Sequence, residues 1–158
     1  MRKPVKHVAR LLKYGTLAST LGLVASALIQ IYGRFFMDTP PSWTEEAARF
    51  FFVYAMAFAA GLAMKDKYYV QFDVLFNRMG KHARLWINRM VLLLTLLLFL
   101  LLTVYGVQLI LLGIPEHSPS LGTPMSIAFA SMGLMGLSVS YFALLELLRT
   151  FGKPNKIL

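Results

Sequence analysis

Residues 40–75, PPSWTEEAARFFFVYAMAFAAGLAMKDKYYVQFDVL, decide the fold of this chain. Two prolines prevent a helix from beginning earlier, and Ser42 followed three residues later by Glu45 is a capping-box pattern, so a helix is expected to begin near Trp43. From there to Met64 the only charged residues are two acids and one arginine, and a helix of this length measures about 33 Å. A bilayer core is ~30 Å thick. The stretch is therefore predicted to cross a membrane.

Three charged residues stand in the first two turns of this helix: Glu45, Glu46 and Arg49. Spacings of three and four residues allow both acids to pair with the arginine on one helix face. Two interpretations stay open. In one, the cluster and Trp43 only anchor the span at the membrane interface, since acids favour a helix N-terminus. In the other, the two carboxylates and the arginine form a docking or pairing site for another protein.

The whole chain has the composition of an integral membrane protein. Hydrophobic residues make up 58% of its 158 residues, and its mean hydropathy is +0.63. The net charge of +9 comes from short basic clusters between apolar runs, which is typical of topology signals and lipid contacts rather than of a nucleic-acid surface. The absence of cysteine excludes disulfides and thiolate chemistry.

Four apolar runs are long enough to cross a membrane, so the predicted fold is an all-α integral membrane protein with four transmembrane helices. Residues 1–13 form a short basic amphipathic segment that is expected to lie on the membrane surface. The third run is rich in leucine and poor in small residues, so it is expected to face lipid more than protein. A cleaved signal peptide ending at Ala27 is an alternative for the first run. The spans are predicted at residues 14–33, 43–64, 90–114 and 125–145.

A shorter fifth helix is predicted between the second and third spans, at residues 68–79. Its apolar residues recur with helical period and Gly80 ends it. Because this piece is too short and too polar to cross, it should lie in the plane of the membrane interface. The interface anchors expected on either side of it and within it are Lys65, Lys67, Tyr68, Tyr69 and Trp86.

Lysine and arginine alternate along the chain between rich and poor segments. The counts are five before the first span, then two, six and none in the three connections, and three in the tail. Because basic loops stay in the cytoplasm, both termini are predicted to be cytoplasmic. The acidic pair and the third connection, residues 115–124 (PEHSPSLGTP), then face outward.

The middle of every predicted span lacks ionisable residues, which are the usual markers of an ion or proton path. Motifs for haem, di-metal, phosphate-loop or nucleophile chemistry are also missing. We therefore expect no catalytic residue, cofactor or metal in this chain, which suits a scaffold for a larger membrane partner. The alternative is a homodimeric four-span exporter, similar to the small multidrug-resistance proteins. Those need a carboxylate in the first span, and residues 14–33 contain none.

The stretch SWTEEAARFFFVYAMAFAAGLAMKDKYYVQFDVL resembles the small membrane subunit of tripartite ATP-independent periplasmic (TRAP) transporters, the DctQ-like family. That family often has a histidine just before a Val-x-x-Asp segment, where this chain has Tyr69. The residues that match the family pattern are Trp43, Glu45, Glu46, Arg49, Lys65, Val70, Asp73 and Leu75.

The resemblance implies a multi-pass protein of the bacterial inner membrane that pairs with a large multi-span TRAP subunit. The large subunit is expected to hold Na⁺ and substrate, and a periplasmic binding protein to deliver an organic anion. In this chain the resemblance implies no cofactor. The segment AMKDKYYVQFDVL favours sialic acid, with C4-dicarboxylates and other sugar or keto acids next. The residues expected to serve docking and assembly are Trp43, Glu45, Glu46, Arg49 and Asp73.

Overall fold

The computed structural model describes residues 3–37, 41–66 and 80–152. These residues form four α-helices, each long and apolar enough to cross a membrane, which confirms the predicted all-α class with four spans. Their only β-type pairing is an isolated bridge between His117 and Pro124. The helices are α1 (Lys3–Phe36), α2 (Trp43–Asp66), α3 (Lys81–Leu112) and α4 (Ser126–Gly152).

The predicted interfacial helix at residues 68–79 lies outside the described residues. The same holds for three of the predicted interface anchors and one of the predicted docking residues. These are Lys67, Tyr68, Tyr69 and Asp73.

The N-terminal segment differs from its prediction as a separate piece on the membrane surface. Residues 3–13 are the first turns of α1, continuous with the span that follows. No helix breaker interrupts the sequence there, because Pro4 falls in the first turn, where proline is tolerated. Val5, Ala9 and Leu12 are buried against Phe142 of α4, so this segment packs into the bundle through its apolar face.

The helices pack side by side in the order α1, α2, α4, α3. In the most apolar stretch of α4, 44% of the residues are buried, against 11% in each of the other three helices. Helix α4 therefore fills the middle, while α1 and α3 form the two edges. Both edge helices expose large apolar side chains, for example Leu21 at 70% and Leu112 at 68%. The predicted lipid-facing character of the third span agrees with this exposure.

Helices α3 and α4 run antiparallel and approach each other through glycines, along a contact that we name the α3–α4 seam. A Cβ atom added to Gly106 would lie 3.1 Å from the backbone nitrogen of Gly133. One added to Gly136 would lie 2.4 Å from Oγ1 of Thr103 and 3.0 Å from the carbonyl oxygen of Phe99. Only glycine permits this approach, so the two backbones touch without intervening side chains.

Hydrogen bonds close the α3–α4 seam at both ends. At one end the backbone N–H of Ser126 donates to the carbonyl of Gly113, 3.1 Å away. At the other, the Arg89 guanidinium donates to the carbonyl of Thr150 at 3.3 Å. The seam therefore extends over the full length of the helix pair.

Helices α1 and α2 meet differently, along what we name the α1–α2 seam. Gly15 faces the ring of Phe58, and Gly22 faces the ring of Phe51. A step of seven residues forward in α1 corresponds to a step of seven residues backward in α2, so the two helices run antiparallel in a single register. Here the glycines receive aromatic side chains instead of a neighbouring backbone.

Helix α2 joins α4 across the middle of the molecule. A Cβ on Gly61 would lie 2.5 Å from Oγ of Ser138, and the Tyr54 hydroxyl donates to the carbonyl of Ile127 at 2.7 Å. The later residue of α2, Gly61, meets the later residue of α4, Ser138, so the two helices run parallel. The start of α2 is thereby placed beside the start of α4 and the loop before it.

Candidate functional site

The charged residues gather at the two ends of the bundle. The hairpin end comprises the end of α1, the start of α2 and the α3–α4 loop, and the basic end comprises the opposite ends of the helices. Of the eleven lysines and arginines in the described ranges, two lie at the hairpin end, Arg34 and Arg49. The nine at the basic end are Lys3, Lys6, Arg10, Lys13, Lys65, Lys81, Arg84, Arg89 and Arg149.

The loop at residues 113–125, which we name the hairpin, folds compactly on its own backbone. The N–H of Ser118 donates to the carbonyl of Thr123, and the N–H of Gly122 returns to the carbonyl of Ser118, each at 2.9 Å. Gly122 has φ of 64°, a left-handed conformation that glycine adopts without strain. Internal hydrogen bonds thus give the hairpin a defined shape at the outside of the bundle.

The Glu46 carboxylate of α2 binds the hairpin directly, in an arrangement that we name the Glu46 clasp. Its Oε2 atom accepts the backbone N–H of Ser120 at 3.0 Å and that of Leu121 at 2.8 Å. Hydrogen bonds from amides to an ionised acceptor are among the stronger ones in proteins. The clasp therefore ties the first turn of α2 to a loop more than seventy positions further along the chain.

Glu45 points to a different partner. Its carboxylate pairs with Arg49 one turn along α2, and the side chains are 59% and 75% exposed. Glu45 thus pairs with Arg49 and not with Ser42. At the start of the helix, the hydroxyl of Thr44 donates a hydrogen bond to the carbonyl of Pro41 at 2.7 Å. The structure divides the predicted three-residue cluster into a surface ion pair and a separate acid that binds the hairpin.

The remaining predicted site residues in the described ranges lie at opposite ends. Trp43 begins α2 at the hairpin end and is 43% exposed. At the basic end, Trp86 is 66% exposed, and Lys65 pairs with Asp66 at 2.5 Å. The fold therefore brings Trp43 together with the acidic pair, while Lys65 and Trp86 stand far from them.

Two contacts at the ends of the bundle could not be predicted from the sequence. The clasp could not, because the partners of Glu46 are backbone amides, which carry no sequence signature. Arg89, interpreted only as a topology signal, also places its guanidinium 4.7 Å from the centre of the Phe151 ring. One indirect signal was present, since the loop opposite the acidic pair contains no lysine or arginine and many turn-forming residues.

The hairpin end of the bundle offers a binding surface. Within residues 3–37, 41–66 and 80–152, no group of three or more histidine, aspartate or glutamate side chains could hold a metal ion. At the hairpin end the Glu46 carboxylate binds two backbone amides and the Glu45 carboxylate pairs with Arg49, which together give a shaped surface. Such a surface can position a protein partner.

Comparison with known proteins agrees with this layout. Residues 23–153 match the family described as tripartite ATP-independent periplasmic transporters, DctQ component. A Haemophilus influenzae protein with the provisional name TRAP transporter small permease protein is 21% identical over 154 residues, covering 97% of this chain and 93% of the relative. The family match includes the part of α1 from residue 23 onward and all of α2, α3, the hairpin and α4. This chain therefore belongs to the DctQ family, the small membrane components of tripartite ATP-independent periplasmic transporters.

Proposed function

We propose that this chain is the scaffold subunit of a sodium-coupled importer of an organic anion. It works with a large multi-span membrane subunit, which holds Na⁺ and substrate, and with a periplasmic binding protein. The observation that carries this proposal is the pair of edge helices, α1 and α3, whose apolar side chains stay exposed along their length. Apolar faces of this extent suit contact with lipid and with the helices of a larger membrane protein.

Tagged protein purified in mild detergent tests the partnership. A much larger membrane protein should co-purify in a fixed ratio, and the pair together with the binding protein should catalyse sodium-dependent uptake in liposomes. This chain alone should not. Recovery of a homodimer alone, or sodium-driven uptake by the isolated chain, would contradict the scaffold role.

For the substrate, sialic acid ranks first, and C4-dicarboxylates or other sugar or keto acids follow. The basis is the sequence of residues 63–75. Uptake assays with each labelled acid in the reconstituted system would decide among them. Preference for a dicarboxylate would remove sialic acid from the proposal while leaving the scaffold role intact.

For orientation, we propose that both termini are cytoplasmic and that the hairpin end faces the periplasm. Within the described residues the basic end has nine lysines and arginines and the hairpin end has two, which supports this orientation. Because the chain has no cysteine, single cysteines give a clean readout. Ser120→Cys should react with an impermeant maleimide in spheroplasts, and Lys6→Cys only after the membrane is permeabilised. The reverse pattern would invert the topology.

For docking, we propose that the hairpin held by Glu46, together with Trp43, Glu45, Arg49 and Asp73, contributes to contact with the partners. Glu46→Ala removes the acceptor for two amides, so the N–H groups of Ser120 and Leu121 should exchange hydrogen faster and uptake should fall. In the exchange measurement Glu45→Ala is the matched control, because it leaves the clasp in place. Faster exchange with unchanged uptake would limit Glu46 to a structural role.

A further inference from the structure

A groove of about 450 Å³ opens between α1 and α2 at the basic end. Its size is within the usual range of small-molecule sites. Both helices contribute cations to it, and apart from Asp66 the rest of the wall is apolar or aromatic. The residues that matter here are Arg10, Lys13, Tyr14, Leu62, Lys65 and Asp66.

The charges in this groove are unbalanced. Lys65 Nζ lies 2.5 Å from the Asp66 carboxylate, so these two residues neutralise each other. Arg10 and Lys13 are both exposed, and within the described ranges neither forms an ion pair. Two positive charges, one helical turn apart, are therefore available to a ligand.

The wall below the cations is fixed by helix packing. Leu62 packs against the core that contains Leu12, and a Cβ on Gly61 would lie 3.0 Å from a methyl group of Leu12. Tyr14 is 64% exposed beside them. The α1–α2 register thus places a cationic rim directly over an apolar surface at the end of a membrane span, which is the arrangement of polar and apolar parts in a phospholipid.

We propose that this groove binds an anionic phospholipid, with the phosphate between Arg10 and Lys13 and an acyl chain along Leu62 and Tyr14. Neutralisation of Asp66 by Lys65 offsets the repulsion of the phosphate by the one carboxylate among the described residues that line the groove. The proposal concerns lipid alone, so it stands or falls separately from the transported substrate and the protein partners.

The test uses the full-length chain, with its membrane partner if the two co-purify, in nanodiscs of phosphatidylcholine containing a minor fraction of cardiolipin. Native mass spectrometry counts the cardiolipin molecules retained. Arg10→Gln with Lys13→Gln should reduce retention by roughly fivefold for each charge removed, as expected for basic residues at an anionic membrane surface. Arg10→Lys with Lys13→Arg, which keeps both charges, should retain the lipid.

Lys6→Gln is the matched control, since Lys6 is an exposed cation of α1 that does not line the groove. It should reduce retention less than removal of either groove charge does, since Lys6 lies about one helical turn beyond Arg10 and outside the lining of the groove. Equal losses in the control and the groove variants would overturn the site, as would equal retention of phosphatidylcholine. Displacement of the lipid by millimolar inorganic phosphate would assign the cations to a free anion and also overturn it. Unchanged thermal unfolding midpoints in all variants exclude misfolding as the cause.

Discussion

The α3–α4 seam and the α1–α2 seam both use glycine, but they use it against different neighbours. In the first, Gly106 and Gly136 meet a backbone and a half-buried hydroxyl, whose positions are set by their helices. In the second, Gly15 and Gly22 meet the rings of Phe58 and Phe51, which belong to side chains with rotatable bonds. The same residue type therefore marks a rigid contact in one pair and an adjustable contact in the other.

This difference predicts how each seam responds to an added methyl group. A backbone cannot move without its helix, whereas an aromatic ring at the edge of the bundle can turn toward lipid. Phe51 is 39% exposed, which leaves it room to turn. Small residues in membrane helices are thus not equivalent, and what each one faces decides its importance.

The largest effect is expected from Gly136→Ala. The new Cβ would lie 2.4 Å from Oγ1 of Thr103, and overpacking of this kind costs about 1–3 kcal/mol. Gly133→Ala is the matched control on the same helix, because its Cβ would meet only a methyl group of Ile110 at 3.6 Å. In the control, the higher helix propensity of alanine should raise the free energy of unfolding by up to ~1 kcal/mol. Thermal unfolding of the two variants in detergent measures the contrast, and equal midpoints would show that the α3–α4 seam can adjust.

A smaller loss of stability is expected from Arg89→Gln at the basic end of the α3–α4 seam. The change removes a hydrogen bond to Thr150 and a cation–π contact with Phe151, together worth about 1–2 kcal/mol. The last turn of α4 should exchange hydrogen faster while the Gly106 region stays protected. Arg89→Lys keeps the charge near the ring and should lose less. Faster hydrogen exchange along the whole of α4 would show that Arg89 supports the whole seam.

Gly22→Ala should lower the free energy of unfolding by less than about 1 kcal/mol, because the ring of Phe51 can rotate away and helix propensity offsets part of the cost. Gly22→Ala combined with Phe51→Leu should recover the parent midpoint. A loss as large as that of Gly136→Ala would erase the distinction between the two seams.

The smallest effect is expected from Glu45→Ala on the stability of the purified chain. An exposed ion pair such as Glu45–Arg49 contributes less than about 0.5 kcal/mol. The unfolding midpoint should therefore stay within experimental error at low and high salt. A clear, salt-dependent drop would mean that Glu45 has a further contact in the folded chain.

The four helices could be predicted from the sequence because the length of an apolar run is a local property. The family could also be recognised from the stretch around Trp43. Contacts between distant segments could not be predicted. Gly106 lies in a leucine-rich span expected to face lipid, and nothing nearby indicates that it meets Gly133. Likewise, Glu46 and Glu45 are neighbours with similar spacing to Arg49, and only the fold gives Glu46 the hairpin amides.

The Glu46 clasp has a consequence for how the chain holds together. Helices α1 and α2 form one half and α3 and α4 the other, and across their border lie the clasp, the Tyr54–Ile127 hydrogen bond and the Gly61–Ser138 contact. These links are non-covalent and follow one another along α2 from the hairpin end toward the basic end. Two separately translated pieces, residues 1–66 and 80–158, should therefore find each other in a membrane and assemble without a peptide connection.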